Sequence, residues 1–109
     1  MKIGKGVFIS PHVMIDPLYP ELITLQDECV LGVGCRLFTH EVTATNFRLG
    51  RITVGADSVV GAYSTIRSGV TIGEGATVGF DSFVNRDVPR GATVVGIPAR
   101  VLDGREGAD

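Results

Sequence analysis

The feature that most limits what this chain can fold into is a run of six-residue units from Val54 to Pro89. Read in sixes it is VGADSV, VGAYST, IRSGVT, IGEGAT, VGFDSF and VNRDVP. The first place is always β-branched: Val54, Val60, Ile66, Ile72, Val78 and Val84. The fifth is small or apolar (Ser58, Ser64, Val70, Ala76, Ser82, Val88), and Gly55, Gly61, Gly73 and Gly79 fill second places. On a helix, six residues turn the chain by about 600°, so these Val and Ile would form no common face. As one strand they would run to about 120 Å at ~3.3 Å per residue, longer than any globular strand. The chain must therefore bend at regular intervals. Short strands, each centred on one inward Val or Ile, meet at corners where glycine and small residues relieve crowding. Three sides close a triangular coil, and coils stack at about 4.8 Å by parallel pairing. A sandwich of short strands fits less well, because its strands vary in length and spacing. The fold class is all-β, a solenoid of about four coils.

The repeat begins at Ile3, with Ile9 next and Val7 and Val13 at fifth places. A unit at Ile15 is broken by DPLYPEL, whose Pro17 and Pro20 suit a bent connection. The phase returns with Leu25, Leu31 and Leu37, then is lost over FTHEVTATNFRLGR, Phe38 to Arg51. This second interruption reads as a protruding loop, and such loops often carry function. It holds His40, one of two histidines, followed by Glu41. His12 stands at the fourth place of a regular unit and reads as a solvated corner. Cys29 and Cys35 fall on fifth places and read as core residues, without CxxC spacing or companion metal ligands. After Pro89, Ala92 to Val95 adds a last strand, Gly96 and Pro98 turn the chain, and Val101–Leu102 is placed over the open end of the coil. The expected organisation is one domain over 1–102 and a polar tail over 103–109.

Composition excludes several classes. A net charge of −2 offers no electrostatic footprint for nucleic acid or an anionic membrane. No apolar run approaches a membrane span, and MKIGKGVFIS lacks the apolar centre of a signal peptide, so the reading is cytoplasmic.

The hexads, the out-of-phase LFTHE (Leu37 to Glu41), YPELI (Tyr19 to Ile23), RDVP (Arg86 to Pro89) and GIPAR (Gly96 to Arg100) together resemble the hexapeptide-repeat acyltransferases. The resemblance is nearest the sugar and xenobiotic O-acetyltransferase branch and covers nearly the whole chain. It implies a left-handed parallel β-helix, an exception to the usual right-handed crossover, and a homotrimer with active sites between subunits. A thin core favours association on independent grounds. It further implies acetyl-CoA as cosubstrate, with no metal, and His40 as the loop base acting on a hydroxyl of a sugar or similar acceptor. A neutral imidazole suits that task near neutral pH. Glu41 is the candidate to orient it. Arg86 and Arg100 match positions near the coenzyme's phosphates and are equally suited to a solvated surface. Gly61 and Ala62 match the corner that admits the pantetheine arm, and also read as ordinary corner residues. Asp16 and Tyr19 are candidates for acceptor binding, and Asp16 equally suits capping a turn.

Three departures stand out. Ile97 replaces a common Asn, Arg67–Ser68 replaces a common Leu-Pro or Asn-Pro, and the chain starts directly in the repeat, which implies a more open acceptor pocket. Two other functions fit the coil. A zinc hydratase resembling the gamma-type carbonic anhydrases needs three histidines, and only His12 and His40 are present. A non-catalytic scaffold is the main alternative; thiol release from acetyl-CoA would separate it from an enzyme.

Overall fold

The computed structural model describes residues 1–102, so the tail expected over 103–109 lies outside the described residues. The chain winds as a left-handed parallel β-helix whose three flat faces are ladders of very short strands. The first face stacks Lys2–Ile3, Ile23–Leu25, Ile52–Val54 and Thr71–Ile72, with an isolated bridge from Ile72 to Val88 above them. The second stacks Phe8–Ile9, Val30–Leu31, Val59–Val60, Thr77–Val78 and Thr93–Gly96. The third stacks Met14–Ile15, Arg36–Leu37, Thr65–Ile66 and Phe83–Val84. Four full coils and the start of a fifth result, and every ladder among them is parallel.

The first-place residues point inward. Leu25, Leu31, Leu37, Val54, Val60, Ile66, Ile72, Val78 and Val84 are buried in one continuous column. Val60 pairs with Val78 and Ile66 with Val84, so an uninterrupted coil takes eighteen residues, three hexads. Fifth places are buried at the corners. Where they are serine, the hydroxyl is satisfied: Ser58 Oγ donates to the Gly55 carbonyl at 2.6 Å and Ser82 Oγ to that of Gly79 at 2.9 Å within their own corners, and Ser64 Oγ donates to the Gly79 carbonyl of the next coil at 2.8 Å. Cys29 and Cys35 sit in the same column as free, buried thiols. Burial pushes both thiols up, that of Cys35 to about 11 against the opposing charge of Arg36.

The structure refines one sequence expectation and departs from another. The corner conformation that needs left-handed backbone falls at the fourth place, where His12, Glu28, Asp57, Tyr63 and Asp81 all have φ between 54° and 64°. Second-place glycines answer a different need, close stacking: a Cβ on Gly61 would lie 2.6 Å from the Val78 carbonyl oxygen of the next coil. The C-terminal segment also behaves differently. Ala99–Val101 folds back antiparallel on Thr93–Gly96 and extends the second face instead of covering the coil's end. Val101 stays 57% exposed, because an unpaired edge of backbone is a better partner for it than a surface without hydrogen bonds. At the opposite end, Ile3 and Ile9 occupy inward places yet are half exposed, since no coil lies beneath them. Among the described residues, no helix is long and apolar enough to cross a membrane.

The two interruptions leave the coil at one corner. Ile15 pairs with Leu37, so the bent connection that follows Ile15 and the excursion that follows Leu37 start side by side in successive coils. The first contains a short 3-10 turn, Pro20–Leu22. The second is a β-hairpin: His40–Val42 pairs antiparallel with Phe47–Leu49. Its turn is closed by Thr43 N–H to the Asn46 carbonyl at 2.8 Å.

Candidate active site

Asp16 is where the two excursions join. It is completely buried at the end of the third-face strand of the first coil. One carboxylate oxygen accepts from the backbone N–H of Leu18 at 2.9 Å and of Tyr19 at 3.1 Å, which bends the chain away from the ladder. The other accepts from the backbone N–H of Thr39 at 2.8 Å and of His40 at 3.2 Å, and meets the His40 ring at Nδ1 at 2.6 Å. Burial pushes this carboxyl up. The bonds from Leu18, Tyr19, the His40 ring and Thr39 outweigh it and hold the group well below the usual carboxylate range. An ionised carboxylate can only accept, so Nδ1 of His40 donates, and a neutral ring then carries its lone pair on Nε2. Thr39, also buried, donates its hydroxyl to the Tyr19 carbonyl at 3.0 Å and ties the same two segments again.

The imidazole is 20% exposed. The ring of Tyr19 stands edge-on to it at 5.7 Å between centroids, and Phe47 lies across from both at 6.3 and 6.2 Å. Tyr19 is thus beside the candidate base, as a wall of the histidine's surroundings.

Glu41 does not orient the imidazole. In a strand, successive side chains leave on opposite faces, so His40 and Glu41 diverge. Glu41 turns to the next coil, where it accepts from Arg67 Nε at 2.9 and 3.1 Å and from Ser68 Oγ at 2.7 Å. Burial pushes its carboxyl up, but the bonds from Arg67 and Ser68 and the charges of Arg67 and Arg48 together hold it below its ordinary value. Arg48, opposite Glu41 in the hairpin, donates to the Ser68 carbonyl at 3.3 Å. Both strands of the hairpin are therefore fastened to the corner at Arg67–Ser68. The orienting carboxylate belongs to Asp16, far away in sequence.

Two recesses are large enough to hold part of a small molecule. One, of about 340 Å³, is lined by His40, Glu41, Phe38, Thr65, Arg67 and Phe83. The other, of about 240 Å³, includes Val84, Asn85, Arg86, Val88, Ala99 and Arg100. Val84 and Val88 are inward residues of the last turns, so this second recess lies at the C-terminal end of the coil and shares no lining residue with the first. Arg86 and Arg100 are exposed and have no ion-pair partner among the described residues. Gly61 and Ala62 sit at the corner between the second and third faces and line neither recess. The stacking contact described above already accounts for Gly61. His12 is an exposed corner residue, and the described residues contain no group of three His, Cys, Asp or Glu side chains placed to hold a metal ion.

Sequence reasoning did not reach the partnership of Asp16 with His40 or the role of Arg67 and Ser68. The signals were there in outline: Asp16 stands where the phase first breaks, and Arg67–Ser68 is a departure from the common corner. Phe38 and Phe83 carried no signal, because an outward aromatic at a hexad position looks like any exposed residue.

Comparison with known proteins places this geometry among relatives. Residues 51–86 match the family described as bacterial transferase hexapeptide (six repeats). The chain is 36% identical over 106 residues to a Bacillus subtilis (strain 168) protein described as "Putative acetyltransferase YvoF", covering 97% of this chain and 62% of that protein. Its fold is similar to a crystal structure of a hexapeptide-repeat-containing acetyltransferase from Vibrio cholerae O1 biovar eltor complexed with acetyl coenzyme A. That match has a TM-score of 0.85 and 30% identity, over 93% of this chain and 58% of the other. It is also similar to a mutant GDP-perosamine N-acetyltransferase from Caulobacter crescentus in complex with CoA and GDP-perosamine. Here the TM-score is 0.75 at 25% identity, over 93% of this chain and 41% of the other. The chain thus spans about three fifths of the length of the first two relatives.

Proposed function

We propose that this chain, similar to hexapeptide-repeat transferases over residues 51–86 and to an acetyltransferase relative over nearly its whole length, transfers an acetyl group from acetyl-CoA to a small acceptor, with His40 as general base. The observation that carries the reading is the 2.6 Å contact between Asp16 and Nδ1 of His40 at the wall of a recess. It fixes which ring nitrogen is free. Acetyl-CoA would supply an activated acetyl thioester. The acceptor O–H bond breaks as its proton passes to Nε2 of His40, and the oxygen bonds to the thioester carbonyl carbon. Collapse breaks the C–S bond, and the proton on Nε2 passes to the thiolate, leaving free CoA and the acetylated acceptor. The buried Asp16 carboxylate stabilises the imidazolium in between. No covalent enzyme intermediate is required.

A hydroxyl of a sugar or similar molecule is the acceptor favoured by the family branch, and an amine is served by the same base. Arg86 and Arg100 would meet the coenzyme's phosphates, for which planar, permanently charged guanidinium groups are well suited. Gly61 and Ala62 line neither recess within one protomer. In a three-fold assembly they would form the wall that a neighbour presents to the pantetheine arm, and the active site would then lie between subunits. A reaction fed by acetyl-CoA fits a cytoplasmic protein.

The test is to follow free thiol while the protein is mixed with acetyl-CoA and a panel of sugars, amino sugars and amino acids. Acceptor-dependent release supports the proposal. Silence across the panel, together with no binding of acetyl-CoA, would favour a scaffold role.

A further inference from the structure

The donors of Arg67 that the hairpin clamp leaves unused point to what the acceptor carries. Arg67 holds Glu41 through Nε alone, at 2.9 and 3.1 Å to the two carboxylate oxygens. Guanidinium and carboxylate more often meet through two parallel N–H groups. Here the carboxylate sits on the Nε corner, and the Nη1 and Nη2 groups, four of the five N–H donors, have no hydrogen-bond or ion-pair partner among the described residues. Arg67 is about one third exposed and lines the recess of about 340 Å³ that also contains His40. Phe38 and Phe83 are the apolar part of that wall, and beside them a charge pair is less screened than in open solvent. Arg48 adds a second guanidinium at the same corner, donating to the Ser68 carbonyl at 3.3 Å. At the Arg67–Ser68 corner two guanidinium groups thus meet the one carboxylate of Glu41, and the buried Asp16 carboxylate behind His40 is already taken up by its own N–H donors.

We propose that Arg67 reads an anionic group on the acceptor, a carboxylate or a phosphate, while His40 takes the proton of that acceptor's hydroxyl or amine. The ligand class is a small sugar acid, sugar phosphate or hydroxy or amino acid. This rests on the acetyl-transfer reading and narrows its substrate. Arg67 thus has two tasks: Nε braces the hairpin through Glu41, and the terminal nitrogens select the acceptor.

The experiment compares matched acceptors in the thiol-release assay: glucose against glucuronate and glucose 6-phosphate, and serinol against serine. At least one anionic member is expected to exceed its neutral counterpart in kcat/KM by about 10–100-fold, the worth of charge-assisted hydrogen bonds. The glucuronate and phosphate arms tell the two anions apart. Arg67→Gln is expected to bring that ratio close to one by raising the KM of the anionic acceptor, and Arg67→Lys, which can still pair with Glu41, to keep part of it. A ratio unchanged in Arg67→Gln, or a rise in the KM of acetyl-CoA in place of the acceptor's, overturns the assignment. If no acceptor releases thiol, the transfer reading fails by itself. Calorimetric titration of the same pairs still decides the anion question: preference for the anion that disappears in Arg67→Gln supports it, and equal affinity overturns it.

Discussion

At the scale of single residues the account turns on Asp16. Its carboxylate accepts five N–H groups, four from backbone and one from the imidazole, and no other residue type offers that capacity in so little volume. Asp16→Asn keeps the shape but exchanges one accepting oxygen for an NH₂, so the ring loses the partner that fixes its tautomer. Turnover is expected to fall by about 10²–10⁴-fold, the range for a misdirected base. Nitrogen NMR of the histidine ring should show the proton on Nδ1 in the native protein and a mixture in the variant. A pH effect on stability follows too. The folded pKa of Asp16 is lowered, so its contribution is complete above the unfolded carboxyl value of about 4 and fades as pH falls through that value toward the folded one. Urea midpoints of native protein and Asp16→Asn should therefore differ most near pH 7 and converge below about pH 4. A gap that stays constant to pH 3 would mean that the ionised carboxylate is not the source of the effect.

At the scale of elements, the hexads predicted the ladders well because one physical need, an inward branched side chain on each side of a triangle, repeats without change. Their first-place residues are the buried column. Glycine at second places was legible as relief of crowding, but not what does the crowding. Its reason is the approach of the next coil's carbonyl, and that contact exists only once the coils are stacked. Gly73→Ala tests it: a Cβ there would stand 2.7 Å from the Val88 carbonyl oxygen. We expect a loss of about 1–3 kcal/mol, the usual cost of overpacking, measured by chemical denaturation. Gly75→Ala has open space around its Cβ, so its cost is confined to the left-handed backbone at φ +69°. The excursion from Phe38 to Arg51 was legible only as a loss of phase. Neither its hairpin nor the direction of Glu41 could be read there, since both depend on the corner of the next coil at Arg67 and Ser68. Likewise, Ile15 and Leu37 are distant in sequence, and only the pairing of their coils brings Asp16 to His40.

At the scale of the whole molecule, the coil is narrow and leaves apolar side chains outside. Phe8 is 59% exposed on the second face, and Tyr63 and Phe80 project at its edge. Three-fold association would cover such surface and set a second wall against the recess at His40. The light-scattering mass should be three times the 11.5 kDa of the chain; a stable monomer that still turns over acetyl-CoA would remove the need for a shared site. The trimer and the acceptor rest on resemblance alone, because neither is encoded in the geometry of one coil. The most direct test of the central claim is the rate of acceptor-dependent thiol release in native protein and in His40→Ala. The account predicts a drop of about 10²–10⁴-fold with the circular dichroism of the β-helix unchanged. A variant that keeps nearly full activity would contradict it.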